Sequence, residues 1–141
     1  MQCLWKLVPI PLLIAISVMA GPQNEQRSER VRLSETPAKG TEAAQVTASI
    51  SGYQTVEYLV DGKTGQSLRV QIASDNAHNL FRIKAPAAVR AMYTSRPGSA
   101  AFDATLPRDG TYRVVVFLLR RAARDGESAQ FSLDIRLSDP G

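Results

Sequence analysis

Over most of this chain apolar side chains fall at every second position, and that rhythm restricts it to strands with one face buried. Val46, Ala48 and Ile50 alternate with polar neighbours, as do Val56, Tyr58 and Val60, and Leu68, Val70 and Ile72 flank Arg69 and Gln71. Leu80, Phe81 and Ile83 mark a fourth strand, and Phe102, Ala104 and Leu106 a fifth. Tyr112, Val114, Val116 and Leu118 form the strongest pattern, with Val115 and Phe117 on the opposite face. Phe131, Leu133, Ile135 and Leu137 close the series against Ser132, Asp134 and Arg136. Turn chemistry separates these runs at Asp61–Gly65 and Pro107–Gly110, and Ser74–Asn79 reads as a polar loop. Ala85–Gly98, with Pro86 and Pro97, reads as irregular, with a short helical turn allowed over Ala87–Tyr93. The expected fold is all-β: an antiparallel, jelly-roll-like sandwich of about seven to eight strands.

The front of the chain reads differently. Residues 1–20 carry Lys6 ahead of an uncharged apolar run and small residues around Ala20, the pattern of a removable secretory signal. The apolar run is too short to span a bilayer, so a membrane is expected to be met only during export. Residues 21–40 are polar, with almost no large apolar residue, and read as a flexible leader. The sandwich domain is expected over 41–141. The single cysteine, Cys3, lies inside the signal, so the mature domain is expected to hold together by packing without disulfides.

Seventeen basic residues face 13 acidic ones and are mostly interleaved with them, a balance that argues against nucleic-acid binding. Catalysis and metal binding find little material. His78 is the one histidine and sits in the polar Ser74–Asn79 loop, where it reads as a solvated residue. A zinc site needs three or four nitrogen or sulfur ligands, so no metal and no cofactor is expected. No Gly-x-Ser-x-Gly nucleophile motif occurs, and the chain reads as a binding protein, not an enzyme.

Two segments carry recognition chemistry. Arg120, Arg121 and Arg124 fall within five residues, and in one helical turn Arg120 and Arg124 project from the same side. Adjacent guanidiniums repel unless an anion lies between them, and Asp125 and Glu127 are at hand to neutralise part of the charge. The segment reads either as a solvated connection or as an anchor for an acidic partner. In Ser51–Thr55, Gly52 permits a sharp turn that presents Tyr53, either on a loop or packed over the sandwich edge.

Gly52-Tyr53, Tyr58, Gly65-Gln66, Leu106-Pro107, Gly110–Val114, Arg120 with Ala123-Arg124, and Phe131–Ile135 follow one another in an order that resembles the bacterial periplasmic inhibitors of goose-type lysozyme. The resemblance spans roughly Ile50–Leu137, and the same skeleton is similar to pre-peptidase C-terminal sandwich domains. It implies a periplasmic or secreted protein, a monomer or weak homodimer, that binds a lysozyme by inserting a basic loop into the acidic cleft. The functional positions it implies are Tyr53, Arg120 and Arg124, with Arg121 in the same cluster. Arg120 would meet the catalytic carboxylate, Arg124 brace it and Tyr53 pack beside them. Arg121 and Ala122 stand where more polar residues are expected. The broader resemblance implies instead a non-catalytic module that binds envelope glycan or another protein.

Overall fold

The computed structural model describes residues 26–140, and the expected signal over 1–20 lies outside them. Two five-stranded sheets face each other. One has the order β1-β4-β9-β6-β7, from Gln26–Arg30, Thr55–Gly62, Gly110–Leu118, Asn79–Lys84 and Tyr93–Thr94. The other has the order β2-β3-β10-β5-β8, from Ser34–Glu35, Thr41–Ser51, Ser128–Ser138, Ser67–Ser74 and Ala101–Thr105. The expected all-β sandwich is therefore the fold, and each of the seven expected strands is present.

The two most regular sequence patterns became the two central strands, β9 and β10. A central strand pairs on both sides and buries one whole face, so its alternation is the least interrupted. Tyr112, Val114, Val116 and Leu118 of β9 point inward against Ala129, Phe131, Leu133, Ile135 and Leu137 of β10, all buried. Tyr58 meets Phe131 edge to face across the sheets, with centroids 6.4 Å apart. Phe81, Tyr93 and Phe102 stack in a chain that joins β6 and β7 to β8 and seals one side of the sandwich. Tyr58 and Tyr112 lie in the core, as their strand positions predict. The Tyr112 hydroxyl donates to the carbonyl of Arg108 at 2.7 Å and accepts its N–H at 3.0 Å, which ties the preceding turn to the strand.

Two expectations need correction. The segment over Ala87–Tyr93 forms no helical turn; Ala87 sits at φ 60°, and Tyr93–Thr94 instead pair with Arg82 and Ile83 as β7. The flexible leader expected over 21–40 is, for its described residues, part of the sandwich. Gln26–Arg30 pair with β4 in parallel, the one parallel ladder among the described strands, and Ser34–Glu35 pair with β3. All five residues of β1 are exposed, so no alternation marked them. Their side chains hold the edge: Gln26 and Ser28 both donate to Glu57, Arg27 to the Ser49 carbonyl, and Arg30 pairs with Asp61 at 2.6 Å. Val31 and Leu33, the two larger apolar residues here, pack partly against the core and secure the segment.

Two outcomes follow from this packing. Tyr112→Phe removes the turn's hydrogen bonds and is expected to lower stability by about 1–2 kcal/mol in urea unfolding. The Asp61 carboxyl is held below the usual carboxylate range, first by the Thr111 hydroxyl and then by Arg30. A depressed folded-state pKa stabilises above the unfolded value and is lost as pH falls through the folded one. Amide protection of β1 should therefore fall selectively below roughly pH 4, and Asp61→Asn should abolish that pH dependence.

Candidate functional site

The β3–β10 ladder places Ser51 opposite Ser128, which brings the corner after β3 beside the segment before β10. At that corner Ser51–Gln54 form a tight turn closed by Gln54 N–H to the Ser51 carbonyl at 3.1 Å. Positive φ is confined to its second residue, Gly52, at 58°, as in a type II′ turn. Gly52 is buried, and Tyr53 is raised on the turn with 42% of its surface exposed.

Arg120–Arg124 form the one helix among the described residues, α1. Ala122 and Ala123 face inward and are buried, while Arg120, Arg121 and Arg124 are exposed. Ala122 thus fills a packing position, which accounts for an apolar residue there. The helix ends in a Schellman arrangement: Gly126 N–H donates to the Ala123 carbonyl and Glu127 N–H to the Ala122 carbonyl, both at 3.0 Å. Gly126 adopts φ 73° at the residue after the cap.

Glu127 ties these parts together. Its carbonyl accepts the Gly52 N–H at 2.9 Å, fixing the tyrosine corner to the arginine segment. Its carboxylate accepts Asn76 Nδ2 at 3.0 Å and lies 3.2 Å from His78 Nδ1. Hydrogen bonds from Asn76 and then His78 hold this carboxyl below its usual range, with Arg121 only a minor contributor. Sequence reasoning offered Glu127 as a neutraliser of the arginines, but it is engaged by the β5–β6 loop. Among the described residues, Arg120, Arg121 and Arg124 form no ion pair.

A cleft of about 480 Å³ opens between the corner and the helix, walled by Tyr53, Thr55, Arg82, Phe117, Leu119 and Arg120. Tyr53 and Arg120 therefore share one cavity. Arg124 and Arg121 lie on the same short helix but are not among its walls. No acidic side chain lines it. Arg82 and Phe117 escaped sequence reasoning: the Arg82 guanidinium carbon lies 4.2 Å from the Phe117 ring centroid. Their signal was a Phe on the outward face of β9, where water is the default neighbour. A shallower depression of about 730 Å³ lies over the other sheet and is lined by small polar side chains such as Thr47, Ser49 and Ser132.

The fold has counterparts among solved structures. The periplasmic inhibitor of g-type lysozyme from Aeromonas hydrophila superposes with a TM-score of 0.71 at 29% identity, over 81% of this chain and 98% of that one. This chain is similar in structure to lysozyme inhibitors. The Salmonella Typhimurium inhibitor of g-type lysozyme aligns with a TM-score of 0.61 at 20% identity, over 79% of this chain and 99% of that one. The pre-peptidase C-terminal domain of a Bacillus anthracis collagenase gives 0.57 at 11% identity, over 78% and 95%. At those two identities the likeness is one of fold. Both families implied by the sequence resemblance are thus found among the structural neighbours. No family model matches the chain, and no curated protein matches it in sequence. Among the described residues no three His, Cys, Asp or Glu side chains cluster as metal ligands, and no helix is long and apolar enough to cross a membrane.

The cap geometry gives a direct test. A Cβ on Gly126 would meet no atom within 4 Å, so Gly126→Ala strains only the backbone. It should lower stability by about 1–2 kcal/mol in thermal or urea unfolding.

Proposed function

We propose that this protein is a periplasmic inhibitor of a goose-type lysozyme, which it blocks by presenting Arg120 and Tyr53 to the enzyme's acidic cleft. The observation that carries the reading is that Arg120 and Tyr53 wall one cleft without an acidic residue, with Arg120 unpaired among the described residues. The structural likeness to inhibitors of g-type lysozyme supports the same conclusion.

The chemistry is complementary. A glycoside hydrolase holds a catalytic carboxyl in a groove shaped for sugar. A guanidinium delivered there makes charge-assisted, planar hydrogen bonds to that carboxylate and excludes substrate. Such a contact is worth most when the arginine arrives unpaired, since no internal bond has to be broken first. The tie from Gly52 to Glu127 holds the loop before binding, which limits the ordering cost. Tyr53 contributes apolar area and a hydroxyl beside the charge. Arg124 and Arg121, on the same helix, add positive potential that steers an acidic enzyme toward the site.

A peptidoglycan-lysis assay with purified protein and a goose-type lysozyme tests the reading. Arg120→Ala should weaken inhibition by about 2 kcal/mol or more, roughly 30-fold, as for a central interface anchor. Tyr53→Ala should also weaken it, and Arg124→Ala less than Arg120→Ala. Lysis that proceeds unhindered with the wild-type protein would rule out the inhibitor reading.

A further inference from the structure

We infer that Arg82, stacked on Phe117, is a second, sheet-borne anchor that receives another carboxylate of the partner within the same cleft as Arg120. The inference rests on the inhibitor reading and extends its contact surface from the loops onto the outer face of a sheet.

Four observations carry it. Arg82 and Arg120 wall one cleft that contains no acidic side chain, so two guanidiniums share it without a counter-charge. The Arg82 guanidinium lies 4.2 Å from the centroid of Phe117, which holds its plane and shields it from water on one side. Its Nε is buried without a hydrogen-bond partner, so no acceptor among the described residues competes for that edge of the guanidinium. Finally, the strand registers put Glu57 on the far side of Val115 from Arg82. The two oxygens of Glu57 are taken by Gln26 and Ser28 of β1, so the edge strand keeps the neighbouring acid occupied elsewhere.

The ligand these features fit is a carboxylate on a short apolar stem. Its oxygens would meet the Arg82 guanidinium and screen its repulsion from Arg120, and its methylenes would lie against Tyr53 and Phe117. That describes an Asp or Glu side chain of the lysozyme. Because Arg82 stands on a strand and not on a loop, it would fix the docking angle of the complex, while Arg120 makes the contact at the tip.

Calorimetric titration of a goose-type lysozyme into wild type, Arg82→Gln, Arg82→Lys, Phe117→Leu and Arg120→Ala tests this. Arg82→Gln should weaken binding about tenfold or more and flatten its salt dependence. Arg82→Lys keeps the charge but loses the planar stack, and should recover only part of the affinity. Phe117→Leu should weaken binding with the charges unchanged. Unfolding midpoints identify any variant that simply fails to fold, in which case Arg82→Lys, the mildest change, decides. If the Arg82 and Phe117 variants bind like wild type while Arg120→Ala does not, the second anchor is wrong and the inhibitor reading stands. If the wild type ignores lysozyme and is retained instead on insoluble peptidoglycan through Arg82, both the anchor's assigned partner and the inhibitor reading fall.

Discussion

Glu127 is the knot on which the rest of the site depends. Its carbonyl holds the Gly52 corner, its N–H closes the C-terminal cap of α1, and its carboxylate is gripped by Asn76 and His78. One residue thus joins three connections at the same end of the sandwich. Without it the tyrosine corner and the arginine helix would be two independent loops, each with its own ordering cost on binding. With it the two are tied by backbone hydrogen bonds to a single residue. The knot also engages the Glu127 carboxylate, and among the described residues the three arginines of α1 form no ion pair.

That arrangement inverts the usual economy of a surface. Exposed arginines commonly settle into weak local pairs, as Arg30 and Arg69 do here with Asp61 and Asp103. At the cleft Glu127 is engaged by the β5–β6 loop and Glu57 by the side chains of β1, and no acidic side chain lines the walls. The result is a positively charged concavity with aromatic walls, which fits the acidic partner proposed above. The sandwich beneath supplies rigidity, since β9 and β10 bury full faces against each other and anchor both sides of the cleft.

Much of this could be read from the residues. The period-two runs gave the seven main strands, and the inward tyrosines were assigned correctly because Tyr58 and Tyr112 sit in phase with buried neighbours. The candidate helix at Arg120–Arg124 and the presented Tyr53 were also legible. Two segments were misread, each for its own reason. β1 has five exposed residues and no buried face, so it leaves no periodic trace and resembled a solvated leader. Ala87–Tyr93 was ambiguous because short apolar stretches do not distinguish a helical turn from an edge pairing.

The sequence by itself determined a disulfide-free β-sandwich with an exposed aromatic near its front and a basic turn near its end, because alternation and turn chemistry are local properties. Only the tertiary structure decided that Tyr53 and Arg120 share a cleft, that Arg82 and Phe117 wall it, and that β1 closes a sheet edge. Those facts depend on which strands become neighbours and in what register, and that is set by pairing between segments far apart in the chain. A residue's place in its own strand says which face it occupies. It does not say what it will face.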